Sequence, residues 1–375
     1  MAGMYIHIPF CKRRCLYCDF FSTTQLHRRQ EYVEAVLQEI AERKDEAGEP
    51  IHTIYVGGGT PSQLDSIDIF RILRTIGTNN AEEVTMEVNP ADVTVKYLRE
   101  LRQCGVNRLS VGVQSFKDEL LQQIGRRHNG IQAINAVHGA QEAGFDNISI
   151  DLMYALPQQT QTLWKSDIEL ALRLGVQHIS SYGLMYEEGT QLTRMRDKGE
   201  LTPVDENTEN EMYDYLCKRL NQAGFEHYEL SNWALPGHRS RHNSSYWHNI
   251  PYLGAGAAAH SFDGKKRWSN PTSLTEYLEG MEDKRLQREY EQLSTNEIYD
   301  EYVMTGLRTK DGIDLNDLTE RFGYLMTDYL MNNAETHIKG GRLELINGSN
   351  GHNIIRLTRR GLFVSNDVMS DLMYI

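Results

Sequence analysis

Six short apolar runs alternate with six helix-like segments in the first half of the chain, and this alternation restricts the fold more than any other feature. The candidate strands are Met4–Ile8, Thr53–Val56, Val84–Val88, Arg108–Val113, Asn147–Leu152 and His178–Tyr182. Between them lie the helical patterns Arg29–Lys44, Ser66–Ile76, Val93–Cys104, Lys117–Ile124, Gly130–Ala143 and Leu163–Leu174. Strands joined by crossover helices lie parallel. Six such units predict an α/β fold, a partial (β/α)6 barrel open on one side, not a closed eightfold barrel. Functional residues then belong at the C-terminal ends of the strands.

The first candidate strand stops at Pro9, and Cys11, Cys15 and Cys18 follow at spacing C-x3-C-x2-C. Three thiolates on one short loop can each hold one iron of a [4Fe–4S] cluster, which leaves the fourth iron open. An open metal position is what catalytic sites keep and structural sites lack. Lys12, Arg13 and Arg14 lie between the cysteines, where positive charge eases the burial of thiolates. Two other readings use the same residues: a zinc site with His7 or His27 as fourth ligand, and a redox pair of Cys15 and Cys18.

Several strand ends carry groups of interest. Gly57-Gly58-Gly59-Thr60-Pro61 follows the second strand and reads either as a plain strand-to-helix turn or as a backbone cradle for a ligand. Glu87, Gln114 and Asp151 close the third, fourth and fifth strands. A carboxylate among apolar strand residues is costly unless paired, so Glu87 suits a cationic or hydroxyl-bearing partner, or else an exposed edge. Arg126 follows a helix, where a surface arginine is the default.

Past about Glu187 the strand–helix rhythm fades. Asp205–Ala223 is a helix candidate with Met212, Leu216 and Leu220 on one face. Residues 238–248 are basic and aromatic, with Arg239, Arg241, His242, Tyr246, Trp247 and His248. Histidine can ligate heme iron, aromatics can cover a porphyrin and arginine can pair with propionates. An aromatic loop packed across the barrel mouth accounts for the same residues. The small residues of Gly254–Ser261 predict tight backbone packing, and His248 and His260 are spare ligand candidates.

From about Leu293, helices at Asn296–Leu307, Leu315–Phe322 and Leu325–Ala334 precede a hairpin, Arg342–Ile346 with Ile354–Leu357, turning around Gly348–Gly351. Thr358 caps a closing helix to Met369. This is a small winged-helix-like unit whose mixed charge points to a protein or lid role. The chain therefore divides at 1–225, 226–290 and 291–375.

Net charge of −13 argues against a nucleic-acid binder. No apolar run approaches the roughly 20 residues of a membrane span, and no signal-peptide pattern opens the sequence. Five cysteines, three of them in one motif, make no disulfide framework; Cys104 and Cys217 read as small buried helix residues. A cytoplasmic, reducing setting is expected.

The segment Tyr5-Ile6-His7-Ile8-Pro9-Phe10-Cys11-x3-Cys15-x2-Cys18 resembles the cluster loop of radical S-adenosylmethionine (SAM) enzymes. More narrowly it is similar to the oxygen-independent coproporphyrinogen III oxidases and their relatives, the HemW-type heme chaperones. The resemblance recurs in order through most of the chain. It implies that the open iron chelates SAM, and that Tyr5, Tyr17, Gly58, Gly59, Thr60, Glu87, Gln114, Arg126 and Asp151 contact SAM. His242-Asn243-x-x-Tyr246-Trp247 matches the H-N-x-x-Y-W motif of the chaperones, which implies heme binding with His242 as iron ligand. After Asp151 the family pattern G-L-P-G-Q-T is replaced by Ala155-Leu156-Pro157-Gln158-Gln159-Thr160, with two glycines lost.

The oxidases carry a further cysteine two residues after the third, where this chain has Phe20, and a substantial segment ahead of the loop. The expected function is therefore a heme carrier that binds a [4Fe–4S] cluster, SAM and heme. Its expected partners are heme-accepting apoproteins and an electron donor, with homodimerisation left open. The alternative is the oxidase, a radical decarboxylase; its activity is expected to be absent.

Overall fold

The computed structural model describes residues 2–348 and 351–374. Its centre is a run of parallel strands: β1 (Ala2–Ile8), β2 (Ile51–Gly58), β3 (Glu83–Val88), β4 (Arg108–Gln114), β5 (Ile148–Tyr154) and β6 (His178–Gly183). Each starts and ends within two residues of the sequence expectation. The crossovers are α1 (Arg29–Arg43), α2 (Ser66–Ile76), α3 (Val95–Gln103), α4 (Asp118–Gln123) with α5 (Gly130–Glu142), and α6 (Gln161–Arg173). Local chemistry sets their starts. Thr94 and Thr160 accept the amide hydrogens of Tyr97 and Leu163, and Asn129 forms a capping box with Gln132.

Strand alternation sorts the side chains. On β4, Leu109, Val111 and Val113 are fully buried in the apolar core, whereas Arg108, Ser110, Gly112 and Gln114 face a cavity inside the curved sheet. On β5, Ile148, Ile150 and Leu152 do the same, with Asp151 and Met153 facing inward. Each fully buried aliphatic side chain contributes on the order of 1.5–3 kcal/mol. The outer layer therefore holds the fold, and the inner row is free to be polar.

The sheet does not close, because β6 never meets β1. Beyond β6 the chain forms α7 (Gln191–Asp197), α8 (Glu206–Gln222), β7 (Glu226–Glu229) and β8 (Asn232–Ala234), and β8 pairs antiparallel with β6. A seven-residue helix, α9 (Arg241–Trp247), follows. Then β9 (Tyr252–Ala255) adds parallel to the free edge of β1. Strands β10 (His260–Phe262) and β11 (Lys266–Ser269), helix α10 (Leu274–Glu282) and strand β12 (Glu289–Gln292) complete a twelve-stranded sheet. Sequence periodicity missed β9–β12, which are three or four residues long and lack a clear apolar–polar alternation. The tight packing expected of the small residues is present: a Cβ on Gly254 would lie 2.1 Å from the carbonyl oxygen of His260.

The C-terminal unit comprises α11 (Thr295–Arg308), β13 (Ile313–Asp314), α12 (Leu315–Lys339), β14 (Leu343–Asn347), β15 (Asn353–Leu357), α13 (Arg359–Leu362) and α14 (Ser365–Leu372). Its strands form a separate sheet in the order β13-β15-β14, over an apolar cluster of its own. Gly323, at φ 82°, breaks α12 into the two helices read from sequence. The closing helix is likewise two pieces, with Thr358 accepting from the Gly361 amide. Residues 349 and 350 of the expected hairpin turn lie outside the described residues. Cys104 and Cys217, expected as small buried helix residues, are half-buried, Cys104 at the C-cap of α3 and Cys217 within α8.

The loop after β5 keeps a glycine-type backbone without glycine. Ala155 and Gln158 stand where the family pattern has its two glycines, and both adopt left-handed φ, 57° and 60°. A residue with a Cβ is strained there. Ala155→Gly and Gln158→Gly are each expected to stabilise the protein by roughly 0.5–1 kcal/mol. Equilibrium denaturation checks this, and midpoints unmoved or lowered in both variants would show that the loop carries no such strain.

Candidate functional site

Pro9 ends β1, and the loop after it is stitched to its neighbours by backbone bonds. Cys11 N–H donates to Thr23 O at 2.9 Å, Thr23 N–H to Pro9 O at 2.7 Å and Leu16 N–H to Ile124 O at 3.1 Å. The basic residues between the cysteines secure the same loop. Arg13 donates to the carbonyls of Gly125 and Arg126, Arg14 donates to those of Cys18 and Phe20, and Lys12 pairs with Asp92 at 3.1 Å.

Cys11, Cys15 and Cys18 are all free thiols and line one cavity of about 410 Å³ at the C-terminal ends of the strands. Cys11 Sγ lies 3.2 Å from Thr60 Oγ1, and Arg126 Nη1 lies 3.6 Å from Cys15 Sγ. Burial pushes the Cys11 thiol up and the Cys18 thiol to about 11, so bound metal would be needed to hold them as thiolates. Among the described residues no three His, Cys, Asp or Glu side chains converge as ligands of a single metal ion. A zinc site would need such convergence, whereas a multi-iron cluster takes one thiolate per iron.

The same cavity is lined by Tyr17, Gly58, Gly59, Thr60, Glu87, Gln114, Arg126 and Asp151. Glu87 accepts the Tyr55 hydroxyl at 2.8 Å and the Gly58 amide at 3.2 Å. Burial raises its carboxyl to about 7. Asp151 accepts the Ser110 hydroxyl at 3.1 Å and is also raised, chiefly by burial. Arg126 donates to the Gly112 carbonyl, while its buried Nε has no partner. Gln114 sits at φ 67°, a strained conformation at the rim. The Gly59 backbone is pressed against the cysteine loop: a Cβ there would lie 2.8 Å from the Pro9 carbonyl. An orphaned guanidinium nitrogen, free thiols and paired carboxylates on one wall fit a cluster with a cationic amino acid derivative beside it.

Other expected site residues do not line this cavity. Tyr5 lies against Tyr55 at 6.1 Å between ring centroids, with its hydroxyl 3.2 Å from His7 Nδ1. His242 is 1% exposed. Its Nδ1 shares a hydrogen bond with Thr53 Oγ1 at 2.9 Å, its Nε2 shares one with the Tyr246 hydroxyl at 2.8 Å, and its ring stacks on Tyr55. Burial lowers its pKa to about 3. With both nitrogens engaged, His242 offers no lone pair to an iron in this arrangement. Arg308 stacks over Trp247 at 4.8 Å. Arg239 is paired with Glu226 and Asp311, and Arg241 with Glu82, so neither is free for a propionate. His248 and His260 are exposed. Of the motif, Asn243 is the residue that reaches the cavity. Sequence reasoning also missed Arg108, Tyr55 and Tyr182, cavity residues whose inward direction only strand register reveals.

Residues 5–171 match the Radical SAM superfamily, and residues 293–364 match the HemN C-terminal domain. The chain is 37% identical to the heme chaperone HemW of Lactococcus lactis, over 85% of this chain and 84% of that one. It is 34% identical to the heme chaperone HemW of Bacillus subtilis over 98% of both. The chain belongs to the HemW family. Coproporphyrinogen III oxidase (HemN) of Escherichia coli shares its fold, with a TM-score of 0.84 and 23% identity over 99% of this chain and 90% of that one. Among the described residues no helix is long and apolar enough to cross a membrane.

The raised Glu87 has a pH consequence. Its folded value of about 7 exceeds the ordinary 4.5, so between these values the folded state holds more protons and stability falls as pH rises. A cation beside Glu87 favours the carboxylate and expels that proton. SAM binding near pH 7 is expected to release a fraction of a proton, read by calorimetry in buffers of different ionisation enthalpy. Glu87→Gln should abolish the release; equal release from both proteins would remove Glu87 from this role.

Proposed function

We propose that this HemW relative holds a [4Fe–4S] cluster through Cys11, Cys15 and Cys18, binds SAM beside it, and carries heme to heme-accepting apoproteins. The observation that carries the reading is the shared cavity: three free thiols and Glu87, Gln114, Arg126 and Asp151 line the same space at the strand ends. When bound, cluster and SAM supply one-electron chemistry there, fed by an electron donor. This chain's own residues orient and shield. Glu87 and Asp151 offer negative charge to SAM's cationic groups, Gly58 and Gly59 let the backbone approach, and Arg126 faces the Cys15 sulfur.

Heme is the cargo, as the names of the relatives say of them. The motif makes His242 its ligand in this proposal. Ligation then requires the Tyr246 hydroxyl to release Nε2. Phe20 lines the cavity where the oxidases place a cysteine, and the missing thiol favours the carrier over the decarboxylase. The division near residue 290 belongs to this reading, supported by the separate apolar cluster of the C-terminal unit.

Anaerobic hemin titration of cluster-reconstituted protein, followed by Soret absorbance, tests the cargo. Saturable stoichiometric binding is expected, lost in His242→Ala and tightened several-fold in Tyr246→Phe, which removes the competing hydroxyl. Unchanged spectrum and affinity in His242→Ala would overturn the ligand assignment, and absence of binding would overturn the carrier. In parallel, Cys11→Ala, Cys15→Ala and Cys18→Ala are each expected to lose the broad cluster absorbance and its iron; retention of full iron content by any of them would remove that cysteine from the set.

A further inference from the structure

Arg108 is 1% exposed and lines the cavity, yet its Nε has no hydrogen-bond partner and no ion pair closes on its guanidinium among the described residues; its charge acts on Asp151 only at a distance. Leaving a buried cation without a partner is costly, and such arginines are ordinarily paired. Its register partner on β3, Thr85, is fully buried, and its hydroxyl also lacks a partner. Asn243, which is half-buried, lines the same cavity, and its side-chain amide makes no hydrogen bond to the described residues. Arg126 Nε on the same wall is likewise without a partner, whereas the carboxylates are satisfied. Glu87 holds Tyr55 and Gly58, and Asp151 holds Ser110.

What keeps Asn243 in this place is the remainder of its own motif. The Glu83 carboxylate accepts the amides of Arg241 and His242 at 2.9 and 3.0 Å, and Ser240 caps Asn243 N–H at 3.3 Å. His242 then fastens α9 to Thr53 on β2, while its bond to Tyr246 lies within α9. In this arrangement His242 is a fastener, and Asn243 is what it presents.

We infer that Arg108 and Asn243 form a carboxylate-binding subsite in the cavity, completed only when a ligand's carboxylate enters it. A planar guanidinium takes a planar carboxylate through two parallel hydrogen bonds, and an amide N–H₂ adds a third donor. A dianionic phosphate suits the place less, because Glu87 and Asp151 share the wall. At about 410 Å³ the cavity is within the range for a small organic ligand. Two ligands of the proposed function, on which the inference rests, carry the group: SAM through its amino acid carboxylate and heme through its propionates.

The test pairs each ligand with its carboxylate-free form. Cluster-reconstituted wild type and Arg108→Met are titrated anaerobically with SAM and decarboxylated SAM by calorimetry, and with hemin and hemin dimethyl ester by absorbance. Loss of the guanidinium is expected to weaken the acid form roughly tenfold to hundredfold while leaving the carboxylate-free form unchanged. A selective loss for SAM assigns the subsite to its carboxylate, and a selective loss for hemin assigns it to a propionate. If neither pair shows a carboxylate-dependent difference, whether affinities hold or all weaken alike, the subsite does not exist and the floor holds water. Asn243→Asp, which sets a repelling charge on the same floor without removing a buried side chain, gives the same selective loss and serves if Arg108→Met does not fold. Should wild type bind no hemin, the carrier reading fails while the SAM pair still decides Arg108.

Discussion

The contact on which the site depends is the approach of Gly59 to the end of β1. Gly59 N–H donates to Ile8 O at 2.9 Å, and its Cα sits so close to Pro9 that no side chain fits between them. Pro9 itself ends the strand, because it has no N–H to give a ladder. One strand end thus releases the cysteine loop where the next strand's turn presents Thr60 to Cys11. A bulky residue at 59 would separate the thiols from the wall that carries Glu87.

The open sheet needs its edges managed, and buried polar chemistry does that. Glu39 on α1 is fully buried and receives Arg43 at 2.6 Å, Gly256 N–H, the Tyr277 hydroxyl and the Asn270 amide. Arg43 in turn donates to Gly254 O at 3.0 Å. A buried ionic network, in which Arg288 also reaches Glu39 at 3.4 Å and Glu46 also pairs with Arg43 at 3.0 Å, therefore seats β9 against β1. Removing Glu39 would leave several buried donors without their acceptor. On the far edge, Arg308 pairs with Glu229 at 3.5 Å and ties the C-terminal unit to β7.

Legibility followed the physics. Crossover strands bury one face against helices, so β1–β6 and their helices showed in the periodicity, and the cysteine loop in its spacing. Arg108 read as an ordinary strand opener, because its inward direction depends on the register of β4 against β3 and β5. Burial of His242 was equally hidden: Thr53 and Glu83, which hold it, come from strands well over a hundred residues earlier. Ala155 and Gln158 show a further case: the loss of the two glycines did not reveal that the backbone there keeps a left-handed φ, which side chains do not favour. Motif resemblance pointed to His242, Tyr246 and Trp247, whereas Asn243 is the residue of that segment that lines the cavity.

The central claim is that three thiolates leave one iron open to SAM at the strand ends. Mössbauer spectroscopy of anaerobically reconstituted ⁵⁷Fe protein, with and without SAM, tests it most directly. The account predicts four irons per chain, one of which shifts on adding SAM while the other three stay. Four irons that ignore SAM, or a preparation that loads no four-iron cluster at all, would contradict it.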